Sequence, residues 1–364
     1  MDNFNVVIIG AGPSGSTCAL RLKQLGCAHV LLVDAGKKDA FRIGESTTPD
    51  TNLLLKKLDL FPSFLKEGHE PCFGSVSYWG TDQKGYNDFL ISPHGHGWHL
   101  DREKFDEFLI NQAQKKGVVV WKNTKYLKSK KLDNEETQLE FVSINTELTV
   151  KTDFVIDATG GRAAFAQDHG AKKVQNLSLI SLSMRFKQDL TRNFAKQTLL
   201  ASSEIGWWYG APIPNNQILV SLFTNKELVK NHRLNHQDVF MPAALGNPHI
   251  GPFCEGLEPL DNTVKGVEAP SFYLDKVHGR RWLAIGDSAA SYDPIMSYGI
   301  TKAMMDGNWA AELIAEKGDL TIFGDYVKGR YKEYLTMRTR FYQSEKRWAD
   351  SPFWRWIRAE ECVA

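Results

Sequence analysis

Val6-Val7-Ile8-Ile9-Gly10-Ala11-Gly12-Pro13-Ser14-Gly15 decides the fold, together with Asp34 at the end of the next apolar run, His29-Val30-Leu31-Leu32-Val33-Asp34. Working outward, an apolar strand enters Gly-x-Gly-x-x-Gly, residues 14–25 carry a helical pattern, and the second run is another strand. Gly10 permits the tight turn, Gly12 lets backbone approach a pyrophosphate, and Gly15 lets the helix pack on the strand. The helix opened by Pro13 and Ser14 offers unpaired N–H groups and a positive dipole end to the phosphates. Asp34 follows Gly15 by 19 residues, the place of an acid that holds a ribose hydroxyl. Glycines alone fit many nucleotide binders. Strand, glycines, helix, strand and acid in this order point to an adenine dinucleotide.

The rest of the chain alternates between two textures. Residues 72–100 carry glycines, aromatics and short alternating runs, which is sheet and loop composition. Asp101 is placed to cap a helix reaching Lys115, with Phe105, Phe108, Leu109 and Ala113 on one face. A strand over 118–121 and a charged meander over 125–150 follow, with Asp133-Asn134 as a turn. Asp157-Ala158-Thr159-Gly160-Gly161 ends a further strand, and Trp282-Leu283-Ala284-Ile285-Gly286-Asp287 ends another before a helix over 298–314. Between them, 177–267 reads as strands, and the last fifty or so residues read as helical.

Composition narrows the function classes. A chain of 364 residues with net charge +1 is long enough for a large core and lacks the excess basicity of a general nucleic-acid binder. No apolar run approaches the roughly 18 residues that span a bilayer, and no signal peptide precedes the first strand. The expectation is a cytoplasmic protein with no membrane or nucleic-acid partner. Five scattered cysteines without a C-x-x-C pair read as reduced thiols.

The three strand-to-glycine motifs, in this order, resemble the flavoprotein monooxygenase superfamily of the hydroxybenzoate-hydroxylase type. The resemblance implies an α/β fold: a Rossmann-like FAD domain (1–71, 101–170 and 271–315), an inserted antiparallel β-sheet substrate domain (72–100 and 171–270) and a helical C-terminal segment (316–364). It implies FAD contacts at Gly10, Gly12, Gly15 and Asp34, and at Gly286 and Asp287, whose carboxylate meets the ribose and pyrophosphate region. Asp157 to Gly161 match a structural element near the cofactor, and Arg102 matches a flavin-side arginine. A nicotinamide dehydrogenase would usually not need the Gly286-Asp287 segment, so FAD is favoured over NAD.

Within that superfamily the chain is similar to the halogenase-related branch. Gly44-Glu45-Ser46-Thr47-Thr48-Pro49 resembles its flavin-side loop, which implies flavin contacts at Ser46 and Thr47. Asp293-Pro294-Ile295-Met296-Ser297-Tyr298-Gly299-Ile300 resembles its proline-to-glycine loop at the isoalloxazine. There Pro294 fixes a turn and Gly299 lets backbone come close. The helix starting there, which includes Ile300, aims N–H groups at the flavin edge that turns negative on reduction. Two departures argue against halogenation. The lysine that tryptophan halogenases carry before the first substrate-sheet tryptophan is missing from 68–83, and their Trp-x-Trp-x-Ile-Pro motif stands here as Trp207-Trp208-Tyr209-Gly210-Ala211-Pro212. That segment looks like the LodB- and GoxB-like maturation flavoproteins of lysine and glycine oxidases. The resemblance implies a precursor of an amino-acid oxidase as protein substrate, with O₂ and a reductant (NAD(P)H or reduced flavin), and hydroxylation of a tryptophan toward a tryptophylquinone. A small-molecule hydroxylase or tryptophan halogenase, and a non-catalytic maturation chaperone, are the alternatives.

Glu45 is the candidate ionisable group nearest the flavin. Trp207, Trp208 and Tyr209 form either an aromatic cradle for an indole or part of the core, and neighbours on a strand face opposite ways, so at least one tryptophan packs. His94-Gly95-His96-Gly97-Trp98-His99 has the alternation of a metal-binding strand but no acid or thiol at matching spacing, so no metal is assigned. Ser351 and Pro352 start a helix dense in tryptophan and arginine, which either docks a partner protein or packs back on the FAD domain.

Overall fold

A computed structural model describes residues 2–36, 44–132, 135–144 and 146–361, apart from the side chains at 175, 176, 360 and 361. Asp133-Asn134 and Cys362 lie outside the described residues. The opening strand, Asp2–Ile9, sits in the middle of a parallel sheet. Val30–Val33 pairs with it on one side and the long strand Thr146–Asp157 on the other. Val119–Trp121 and Trp282–Ala284 extend the sheet outward, also parallel. Helices cover the sheet, so these strands are runs of apolar residues without alternation: Val6 to Ile9 and Val30 to Val33 are all buried.

Register brings the three glycine motifs together. Ile9 lies opposite Asp157, and Asp157 opposite Ala284, so Gly10, Ala158 and Gly286 all leave the sheet at its carboxyl edge. That edge is where open α/β sheets bind ligands. The expected meander forms as Thr124–Lys131 and Thr137–Ser143, but its third strand continues unbroken into the strand that ends at Asp157. Asp101 caps the helix Arg102–Lys115 by accepting from Lys104 N, with Phe105, Phe108, Leu109 and Ala113 buried.

A second sheet of eight strands runs in the order Ala290–Ser291, Lys265–Leu274, Lys173–Lys187, Gln217–Thr224, Gly206–Ile213, Thr198–Ser203, Gly74–Tyr78, Gly85–Asp88. All pairs are antiparallel except Thr198–Ser203 with Gly74–Tyr78. A small third sheet joins Ser46–Thr47, Gly97–His99 and Glu70–Cys72. One stretch departs from its strand reading: Lys226–His232, Gln237–Gly246 and Gly251–Cys254 are helices. They are short, and Pro242 lies inside the second, so no long helical period advertises them; packing of Phe240 against Trp208 holds them to the sheet.

The C-terminal segment is helical, as Thr321–Ser344 and Pro352–Glu361. Its end does not pack on the core of the parallel sheet. Phe353, Trp354 and Ile357 are buried in the core of the second sheet, where Trp354 Nε1 donates to Ser203 O at 2.8 Å.

Candidate active site

The glycines of the opening turn are fixed by what surrounds them. Gly10 has φ +112°, and a Cβ there would sit 2.1 Å from Ala158 O. A Cβ on Gly15 would sit 1.9 Å from Gly10 O, so the helix Pro13–Gln24 can approach the turn only without one. Gly12 is different: a Cβ would meet nothing within 4 Å, so its backbone faces open space at the helix N-terminus. Gly307, in the helix Gly299–Ala315, lets that helix close on the first one, since a Cβ there would lie 2.2 Å from Ser14 O. Asp34 follows the second strand, with its N bonded to Trp121 O at 2.8 Å. This is the cradle that an adenine dinucleotide's diphosphate needs.

The middle and late motifs brace the turn. Asp157, wholly buried, accepts from Thr159 N, Thr159 Oγ1 and Ala166 N at 2.7–3.0 Å. Gly286 (φ +60°) lies against Ser14, leaving no room for a side chain. Lys302 Nζ donates to Gly286 O and Asp306 Oδ2, both at 3.0 Å, and Gly286 N donates to the same Asp306 oxygen. Asp287 is exposed on the wall of the neighbouring cavity, where desolvation by the surrounding protein raises its carboxyl above the usual range against Lys302 and Arg102. Lys302 and Asp306 were absent from the sequence reading; their spacing of four on the helix after Gly286-Asp287 was the available signal.

A cavity of about 360 Å³ lies between the nucleotide turns and the second sheet. Pro13, Arg102, Asp287, Pro294, Gly299 and Ile300 line it on one side, Glu45 and Ser46 at its flank, and Tyr209, Phe223 and Ser181 from the sheet. Thr47 does not line it; it pairs with Trp98 in the small sheet. Arg102 Nη1 donates to Gly44 O at 2.9 Å, fastening the loop that carries Glu45. Glu45 is 2% exposed, its Oε1 has no hydrogen-bond partner, and burial pushes its carboxyl up to about 7 against the pull of Arg102. An acid buried this way exchanges a proton near neutral pH. Tyr209 donates to or accepts from Ser46 Oγ at 2.7 Å, and its phenol is raised well above the ordinary value by burial and by Glu45.

The two tryptophans are placed differently from the tyrosine. Trp207 and Trp208 are 0% and 1% exposed and do not line the cavity. Trp207 stacks on Phe223 at 4.0 Å, its Nε1 donating to Tyr342 Oη at 3.1 Å, whereas Trp208 meets Phe240 on the opposite face. A cradle made of these two indoles is therefore replaced by a wall made of Tyr209 and Phe223. The histidine run scatters as well: His99 is buried beside Thr198, while His96 turns to Gly97 O, and no group of three metal ligands occurs among the described residues.

Asp293 carries the loop at the cavity floor. It caps Pro294–Met296 by accepting from Ile295 N at 3.0 Å, its other oxygen accepts from Tyr342 Oη at 2.7 Å, and its N donates to Tyr334 Oη at 2.9 Å. Gly299 then starts the long helix, and a Cβ there would meet nothing within 4 Å.

Glycine cradle, bracing acids and an open helix N-terminus fit an adenine dinucleotide, and residues 3–343 match the FAD binding domain family; the chain belongs to it. The protein is an FAD-dependent oxidoreductase. Marinomonas mediterranea LodB is 29% identical over 359 residues, 98% of this chain and 97% of LodB. The myxobacterial chondrochloren halogenase CndH has the same fold, with TM-score 0.87 at 21% identity over 100% of this chain and 89% of its own. So does the peptidyl tryptophan dihydroxylase QhpG, with TM-score 0.76 at 18% identity over 98% and 79%. No helix among the described residues is long and apolar enough to cross a membrane.

Proposed function

We propose that this protein hydroxylates a tryptophan side chain in the precursor of a partner amino-acid oxidase, on the way to a tryptophylquinone. The observation that carries this reading over halogenation is the state of the cavity's lysine. Among the described lining residues, Lys302 is the one lysine, and its ammonium is taken by Gly286 O and Asp306 rather than free to hold an oxidised halide. The likeness to LodB over nearly the whole chain supports the oxidase-maturation reading, as does QhpG, whose name gives it a role in tryptophylquinone biogenesis.

Gly10 to Gly15, Asp34, Asp287 and the Gly299 helix start would hold the dinucleotide, with Arg102, Ser46 and Pro294 around its ring end. Bound FAD, once reduced by NAD(P)H or exchanged for reduced flavin, supplies oxygen transfer from O₂ to an electron-rich ring. The chain's own part is to orient and to handle protons. Tyr209 and Phe223 present aromatic surface to the cavity, against which an indole can stack. Glu45 holds or takes a proton at its unpartnered Oε1, matched to the proton that a hydroxylated ring carbon loses. Overall, ArH, O₂, two electrons and two protons give ArOH and water.

Co-expression with an amino-acid oxidase precursor, followed by mass spectrometry of its tryptophans, tests the reading. Added oxygen on one tryptophan is expected with the wild type and is expected to vanish with Asp287→Ala. Efficient chlorination or hydroxylation of free tryptophan by the reduced protein with O₂ and chloride would overturn it. So would quinone formation by an Asp287→Ala protein shown to hold no FAD, which would leave a chaperone.

A further inference from the structure

A run of hydrogen bonds leaves the cavity through its wall. Tyr209 Oη lies 2.7 Å from Ser46 Oγ, Ser46 Oγ lies 3.1 Å from Thr198 Oγ1, and Thr198 Oγ1 lies 3.0 Å from His99 Nε2. Tyr209 and Ser46 face the cavity. Thr198 is 3% exposed, yet it forms part of the wall of a second hollow of about 380 Å³, with Val76, Tyr78, Arg192 and Phe253 among its neighbours there. Three hydroxyls thus span the partition between two cavities.

His99 fixes which way they point. It is wholly buried, and burial keeps its ring neutral, down to about 4, although the Pro212 carbonyl beside it pulls the other way. A carbonyl can only accept, so the single ring proton belongs on Nδ1, the side away from Thr198, even though Nδ1 falls short of hydrogen-bond geometry with any partner. Nε2 then accepts from Thr198, Thr198 accepts from Ser46, and Ser46 accepts from Tyr209. Every hydroxyl proton in the resting chain points out of the cavity, leaving the lone pairs of Tyr209 Oη free to accept.

We propose that Tyr209, Ser46 and Thr198 form a proton relay between the flavin-side cavity and the second hollow, with His99 as its positioning residue. A proton accepted at Tyr209 Oη shifts the Tyr209 proton to Ser46, the Ser46 proton to Thr198, and the Thr198 proton to water in the second hollow. The three hydroxyls then point inward, and the return shift delivers a proton to the cavity. Glu45, buried beside Tyr209, could exchange its proton this way without the cavity opening to solvent. The relay rests on flavin–O₂ chemistry alone and needs no tryptophan substrate.

Reoxidation of photoreduced, FAD-loaded protein by O₂ tests it, because each O₂ leaves as H₂O₂ with two electrons and two protons, one of them drawn from solvent. Thr198→Val removes one hydroxyl and keeps the side chain's shape. It is expected to slow reoxidation by about fivefold or more and to change the H₂O/D₂O rate ratio, with Thr198→Ser restoring both. Tyr209→Phe, which cuts the cavity end, is expected to do the same. In the FAD-free protein, ¹⁵N-histidine NMR is expected to show His99 as the neutral Nδ1–H tautomer, and Thr198→Val to move its Nε2 signal. Wild-type reoxidation rates and isotope ratios in folded Thr198→Val and Tyr209→Phe proteins would overturn the relay. A His99 proton found on Nε2 would overturn its direction. Because no peptide is present in these measurements, their failure is separate from a failure to hydroxylate tryptophan.

Discussion

At the scale of single residues, the opening turn and the buried acid differ in how they could be read. Gly10 and Gly15 answer to backbone atoms at Ala158 and at Gly10 itself, so the demand for glycine is local and the motif carries it. Glu45 takes its character from elsewhere. Its burial is completed by Tyr209 from the second sheet and by Leu100, whose N bonds to Glu45 O at 2.8 Å, neither of them near it in sequence. No pattern around Gly44-Glu45-Ser46 announces a carboxyl raised to about 7. The sign of its effect on stability follows: with the folded pKa above the ordinary 4.5, the contribution is full below about 4.5 and is lost as pH rises through about 7. The FAD-free protein should therefore lose on the order of 3 kcal/mol from this group between pH 4.5 and 8. Glu45→Gln should flatten that part of a melting-temperature profile and be the more stable form at pH 8. Buried His99 and His69 tilt the profile the opposite way, so the decisive quantity is the difference between the two proteins: a wild-type slope between pH 5 and 8 that survives the substitution would show that Glu45 is not held this way.

At the scale of elements, Thr321–Ser344 does more than close the fold. Tyr331, Tyr334, Arg338 and Tyr342 recur on one buried face of it, and Tyr334 and Tyr342 both reach Asp293. Tyr342 also accepts from Trp207 Nε1, so one phenol ties the cavity-floor loop to the second sheet. The helical period of this segment was legible, and so were the strands ending at Ile9, Asp157 and Ala284. Which loop the buried tyrosines hold was not, because Asp293 meets them across 41 and 49 residues of chain. The helices over 226–254 escaped for the opposite reason: each is too short for its period to outweigh the strands on either side. Tyr342→Phe keeps the ring and deletes the bonds to Asp293 and Trp207, leaving a buried carboxylate oxygen and an indole N–H without partners. It should cost about 1–3 kcal/mol in a denaturant melt. It should also weaken FAD binding several-fold, read by titrating the apoprotein, because the loop from Asp293 to Gly299 loses its anchor. A stability loss with unchanged FAD affinity would place Tyr342 in the core alone.

At the scale of the whole molecule, the question is whether the aromatic tail is a docking surface or a structural clamp. Trp354 is wholly buried, its ring lies 5.6 Å from Trp79 and 6.1 Å from Tyr342, and its Nε1 reaches Ser203 O. The core it joins also contains Trp207 and Ile295, the latter from the cavity-floor loop. Just before it, Glu345 accepts from Gly80 N, Ser202 Oγ and Arg347 Nη2 at 2.5–2.7 Å. Burial would raise that carboxyl, but the bonds from Arg347 and Ser202 outweigh it and hold it down at about 2. Its contribution is therefore full above about 4.5 and is lost only as pH falls through about 2, the reverse of Glu45. These contacts make the tail a clamp that joins the second sheet to the loop that lines the cavity. A chain ending at Ser344 should then lose its cooperative melt or its bound FAD, and Trp354→Ala should cost about 3–5 kcal/mol. Trp354→Phe, which keeps most of the packing and strands the Ser203 carbonyl, should cost less than the alanine. The docking reading expects something else: a truncated protein that melts as the wild type does, keeps its FAD and fails only when a partner is supplied. Melting curves and the flavin absorbance of the purified truncation decide between the two without any partner in hand.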